Sequence, residues 1–98
     1  MKVRLSRLAE RDLEGIGDWI ARDDPVVAGR FLADLKAAAY TIGDMPYAFP
    51  AVAGDGSGSL RKRSYRRHVI YYRIGRATVT ILRIIRHSRD QATQLRKP

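Results

Sequence analysis

The chain contains no cysteine. Disulfides and thiolate metal sites are therefore excluded, and the absence fits a reducing cytosol. Long apolar runs are missing as well. Nothing reads as a secretory leader, and no stretch nears the roughly 20 apolar residues of a spanning helix. The expectation is a cytoplasmic protein with no membrane partner. There are two histidines and one tryptophan. Phosphate-loop, zinc, dinucleotide and serine-hydrolase motifs are absent. The string GDGSGS lacks the alternating carboxylates and closing Glu of a calcium loop. No metal and no cofactor is expected. Acidic residues fail altogether in one block: residues 60–89, LRKRSYRRHVIYYRIGRATVTILRIIRHSR, hold ten Lys and Arg and no Asp or Glu.

What is present fits one globular domain spanning 1–98, 45% hydrophobic and 30% charged, with a modest core. The first 59 residues carry seven basic and nine acidic groups, so nearly all of the +9 net charge lies in the C-terminal block. Such a block repels itself and attracts polyanions or an acidic partner.

Lys2 to Leu5 alternates as one short strand. Ser6 can cap a helix that starts at Arg7. Ala9, Leu13, Ile16 and Ile20 share one helical face, with Trp19 beside it. Gly15 and Gly17 cost helix propensity, about 1 kcal/mol each, and permit a second helix to come close. Asp24 and Pro25 read as N-cap and first residue of that second helix. Its apolar face is Ala28, Phe31, Leu32, Leu35, Ala38, Ala39 and Ile42, and Gly43 is a candidate C-cap. Residues 44–59 read as loop. Three strands follow, at Leu60–Tyr65, Arg67–Ile74 and Ala77–Arg86, with a tight hairpin at Gly75-Arg76. Strict alternation in the last strand sets Val79, Ile81 and Ile85 on one face and Leu82 and Ile84 on the other. Residues 91–96 form a short helix or an extended tail. The fold class is α+β: an N-terminal strand, an α-helical hairpin, then a three-stranded antiparallel sheet with the helices packed on one face.

Candidate chemistry concentrates in the basic block. Arg61, Lys62, Arg63, Arg66 and Arg67 form the densest cluster and suit polyanion contact. Tyr65, Tyr71 and Tyr72 interleave with them, as base-stacking aromatics or as strand and core residues. His87, between Arg86 and Arg89, is the strongest acid–base candidate; the plain alternative is a strand-ending residue bonded to backbone. His68 reads the same way. Arg83 sits among Ile and Leu; if buried it needs a carboxylate such as Asp12, Glu14 or Asp34, and otherwise it opens onto a groove.

The order and spacing of LSRLAERDLEGIGDWIARDDPVVAGRFLADL, MPYAFP, LRKRSYRRHVIYYRIG and VTILRIIRHSRD resemble the ParE/RelE superfamily of type II toxins over nearly the whole chain. The nearer resemblance is to ParE. It implies a RelE/ParE-like fold and a toxin that binds DNA gyrase without catalytic residues of its own. It also implies neutralisation by a cognate acidic-tailed, ParD-like antitoxin. Contacts to target or antitoxin then fall to Trp19, Arg61, Lys62, Arg63, Arg66, Arg67, Arg83, Arg86, His87 and Arg89. The alternative within the superfamily is a RelE-like endoribonuclease that cuts messenger RNA on the ribosome, using Arg67, Arg86 and His87. His68 precedes Val69-Ile70-Tyr71 where such nucleases carry an arginine, and Ser88 follows His87 where some carry Tyr. A third reading is a non-toxic nucleic-acid-binding module, but no basic recognition helix is present.

Overall fold

The computed structural model describes residues 1–87. Strand β1 (Lys2–Leu5) leads into helix α1 (Arg7–Ala21), then helix α2 (Pro25–Tyr40) and a 3₁₀ turn (Thr41–Asp44). Strands β2 (Leu60–Tyr65), β3 (His68–Ile74) and β4 (Thr78–Arg86) complete the described residues. The sheet has four strands in the order β1-β4-β3-β2; β1 runs parallel to β4, and the other neighbours are antiparallel. The expected architecture is the observed one, with β1 added at the β4 edge.

The helix starts follow the local chemistry of the sequence. The Ser6 hydroxyl accepts the Ala9 amide at 3.0 Å and donates to the Leu82 carbonyl at 2.8 Å, so one side chain caps α1 and ties it to β4. The Asp24 carboxylate accepts the Val26 and Val27 amides, and Pro25 opens α2. The core lies between the hairpin and the sheet: Ala9 and Leu13 from α1, Leu35, Ala38 and Ala39 from α2, and Ile70, Tyr72, Val79, Ile81 and Ile84 from the strands. Tyr72 is fully buried and keeps its hydroxyl satisfied by donating to the Pro46 carbonyl.

Three local expectations are corrected. Gly43 is not a C-cap. Thr41 caps α2, and Gly43 lies in the 3₁₀ turn, where a Cβ would run into the Met1 carbonyl oxygen. Its missing side chain admits Met1, just before β1, whose amine donates to the Gly43 carbonyl at 2.8 Å. The last hairpin is tight but turns one residue later than Gly75-Arg76 implies: Ile74 pairs with Val79, the Gly75 amide donates to the Thr78 carbonyl, and Arg76 and Ala77 make the turn. Finally, Ile84, not Ile85, joins Val79 and Ile81 in the core. Tyr72 pairs with Ile81 while Tyr71 pairs with Arg83, so Leu82 is an extra residue in the ladder. This bulge reverses the alternation for every residue after it.

Candidate functional site

The bulge opens a groove at the C-terminal end of β4. Beyond Ile81, β1 no longer pairs with β4, so the edge of β4 faces α1 directly. Asp12 of α1 closes part of that edge. Its carboxylate accepts the Ile84 amide at 2.9 Å and both Nε and Nη2 of Arg83 at 2.8 and 3.0 Å. Burial alone would raise the Asp12 carboxyl. The Arg83 hydrogen bonds, the Ile84 amide and the Arg83 charge outweigh it and hold the group below the ordinary carboxylate range. Arg83 is therefore not a buried cation seeking an acid: it is 44% exposed, paired to Asp12, and lines the groove.

Past Asp12 the groove is apolar. Its volume is about 540 Å³. Ile16, Trp19 and Ile20 of α1, Phe31 of α2, and Ile84 and Ile85 of β4 form its walls. Trp19 is 55% exposed despite its size. Arg67 and Arg86 supply the positive rim, with the Arg86 guanidinium 4.9 Å from the centre of the Trp19 ring. His68 lines the same groove; it is only 7% exposed, packs 5.3 Å from the Phe31 ring, and its Nδ1 has no hydrogen-bond partner. Burial first, then the Arg86 charge, push its pKa below the ordinary histidine value, so the ring is held neutral.

The dense cluster of the sequence is divided by the pleat. Arg61 and Arg63 pair with Tyr72 and Ile70, on the core side of the sheet. Arg61 donates to the carbonyls of Tyr47, Phe49 and Gly58, and Arg63 to the Ala38 carbonyl and the Thr41 hydroxyl. Both therefore hold the 44–59 loop and the end of α2 in place. Arg66 sits in the two-residue β2–β3 turn at φ 54°, with its guanidinium over the Phe31 and Tyr65 rings. Lys62 is exposed on the other face, opposite Tyr71. Among the described residues Asp12–Arg83 is the single ion pair. Among those residues the other guanidinium groups meet carbonyls, hydroxyls, rings or solvent.

Of the ribonuclease candidates, Arg67, Arg86 and His87 do gather at one end of the sheet. The His87 amide donates to the Arg67 carbonyl at 2.6 Å, and His68 pairs with Arg86 across the strands. The His87 side chain is exposed, so the described bond is the backbone one expected of a strand-ending residue. Arg89 and the proposed helix or tail at 91–96 lie outside the described residues. Among the described residues, no helix is long and apolar enough to cross a membrane, and no cluster of His, Asp and Glu could hold a metal.

The family model described as "ParE toxin of type II toxin-antitoxin system, parDE" matches residues 3–91. The chain belongs to the ParE toxin family. A solved structure described as "Chromosomal ParDE TA system from P. aeruginosa" superposes with a TM-score of 0.76. The superposition covers 90% of this chain and 97% of that one, at 19% identity, and so shows a shared fold. None of the curated proteins compared matches the chain. The protein is thus a ParE-like type II toxin with the α+β fold expected of one.

Four features of this ParE groove are not singled out by the sequence. Phe31 reads there only as part of the α2 apolar stripe, yet its ring borders the groove and carries Arg66. Ile16 and Ile20 read as core but wall the opening. Ile85 reads as core and is instead turned outward by the bulge at Leu82. The one available signal is Trp19, a large aromatic set beside the apolar stripe of α1, not within it.

Proposed function

We propose that this ParE toxin halts growth by binding DNA gyrase, without chemistry of its own, and that a ParD-like antitoxin neutralises it. The contacts to gyrase come from the groove and its basic rim. The antitoxin lays an acidic, partly apolar C-terminal segment into the same groove and so blocks the toxin. The observation that carries this reading is the groove itself: exposed Trp19 and half-buried Phe31 beside Arg67 and Arg86, whose charges are not matched by acids among the described residues. An apolar floor with a cationic rim is the complement of an amphipathic acidic segment. In a supercoiling assay, saturating toxin should inhibit gyrase, and Trp19→Ala with Arg86→Ala should relieve the inhibition. Full supercoiling at saturating wild-type toxin would refute the target.

The convergence of Arg67, Arg86 and His87 supports a second reading, cleavage of messenger RNA on the ribosome. There the arginines would offset phosphate charge and His87 would move the proton. Primer extension on translation extracts tests it. Codon-spaced cuts that vanish in His87→Ala would establish cleavage; an unchanged ladder with toxin present would discard it.

A further inference from the structure

None of the four strands contains an Asp or Glu, and the pleat sends their cations to two faces. On the helix side, Arg61 and Arg63 are taken up by backbone carbonyls and a hydroxyl, and Arg86 by the Trp19 ring. On the other face Arg83 is paired with Asp12, and the remaining cations have no acid bonded to them among the described residues. Arg4 pairs with Thr80, and Thr80 pairs with Arg73, so one row across three strands reads Arg–Thr–Arg. Lys2 lies beside Thr78 and Lys62 beside Tyr71. Lys2, Arg4, Lys62 and Arg73 are all exposed, and both helices pack on the opposite side of the sheet. Arg73 also donates to the Ser59 hydroxyl, which fixes its head in place, and Asp55 is near enough to feel its charge.

We propose that this face is a second binding surface, distinct from the groove, and that it takes the phosphate backbone of duplex DNA. Arg4 and Arg73 are two strand spacings apart, roughly 10 Å, with a Thr hydroxyl between them as a neutral phosphate donor. A protein partner is less well served, because the Lys2–Arg4–Arg73 end offers cations and threonines, and the exposed aliphatic side chain of this face, Ile85, lies at the far end of β4. A single strand wants a row of stacking aromatics, and only half-buried Tyr71 stands here. A second copy would set like charges against each other. The surface stands whether or not gyrase is the target; if it is, the face would hold the toxin on the DNA that the enzyme occupies and raise its effective concentration there.

The test is salt-dependent binding of the purified full chain to a mixed-sequence duplex of about 20 base pairs, followed by fluorescence anisotropy. Four phosphate contacts give a log–log slope near −3.6, or roughly a 150-fold loss of affinity between about 50 and 200 mM salt. Arg4→Ala with Arg73→Ala should bring the slope to about −1.8. Lys2→Ala with Lys62→Ala should do the same without touching the Ser59 bond, and so covers the case in which losing Arg73 disturbs the fold. Trp19→Ala with Arg86→Ala should leave the slope unchanged. No binding at about 50 mM salt would overturn the proposal. So would a slope that survives both cationic double variants, a slope that falls in the groove variant instead, or poly-glutamate binding as tightly as the duplex.

Discussion

Asp12 does the work of two residues. One carboxylate covers an edge amide of β4 that β1 is too short to reach, and it also orients Arg83 along the groove. Asn at this position would keep the shape but replace one acceptor oxygen with a donor that faces donors. Asp12→Asn should cost about 1–2 kcal/mol, the lower part of the range for charged hydrogen bonds because half-exposed Arg83 is screened by solvent. Urea unfolding at neutral pH measures it, and no loss would mean the pair is incidental. His68 makes a different contribution. Its Nδ1 is buried without a partner among Phe31 of α2, Tyr65 of β2 and Arg86 of β4, with Arg67 next in the chain. The native state holds the ring neutral and its pKa depressed. The unfolded chain binds a proton near pH 6.5 and the native state does not, so stability is complete above that pH and falls as pH drops below it. The same direction applies to Asp12, whose contribution is lost at lower pH, through the carboxylate range. His68→Phe should therefore flatten the decline in melting temperature between about pH 7.5 and 5.5 and leave the acid limb below it intact. An unaltered slope in that window would show that His68 titrates freely.

Helix α1 carries two glycines on different terms. At Gly17 a Cβ would lie 2.6 Å from Leu32 Cδ1, the end of a side chain that would have to turn aside; at Gly15 a Cβ would meet nothing within 4 Å. Gly15→Ala should then stabilise by about 1 kcal/mol, the helix-propensity gain, and raise the melting temperature by several degrees. Gly17→Ala gains the same propensity but must turn the Leu32 methyl aside, and should stabilise less than Gly15→Ala. Calorimetry of the two variants checks the pair; equal responses would mean that the helices do not pack as described. Gly15 is thus free of the fold and borders only the groove. This contrast marks how far the sequence can be read at the scale of elements. The strand, both helices, their N-caps and the order of the last three strands follow from periodicity and capping chemistry at Ser6, Asp24 and Pro25. Gly17 as a close approach follows too. The bulge does not, because Val79 to Arg86 is apolar on both faces and no Gly or Pro marks the extra residue. Ile84 and Ile85 therefore exchange places, and the groove wall that Ile84 and Arg86 form with α1 is invisible. The double use of Arg61 and Arg63 as carbonyl clamps is hidden for a similar reason: a basic strand reads as a surface until the loop that it holds is in place.

The whole molecule has a small core, one intramolecular ion pair among its described residues, and an exposed indole at the rim of an apolar groove. A domain of this size is marginally stable, and a partner that binds only the folded form adds stability by mass action. If an antitoxin segment fills the groove, free segment at about 100 times its Kd should add about 2.7 kcal/mol, which for a domain this small is a rise of more than about 10 °C in melting temperature. The groove variant separates this effect from ordinary stability. Trp19 packs against the Arg86 guanidinium and solvent more than against the core, so Trp19→Ala should change the melting temperature of the free toxin by less than a few degrees. It should remove most of the rise caused by the antitoxin, because an exposed aromatic anchor is worth most when a partner buries it. Trp19 is the chain's single tryptophan, so its fluorescence should shift to the blue as the segment covers it, at the same concentrations that raise the melting temperature. A stabilised toxin whose tryptophan emission stays unchanged would place the antitoxin elsewhere on the fold.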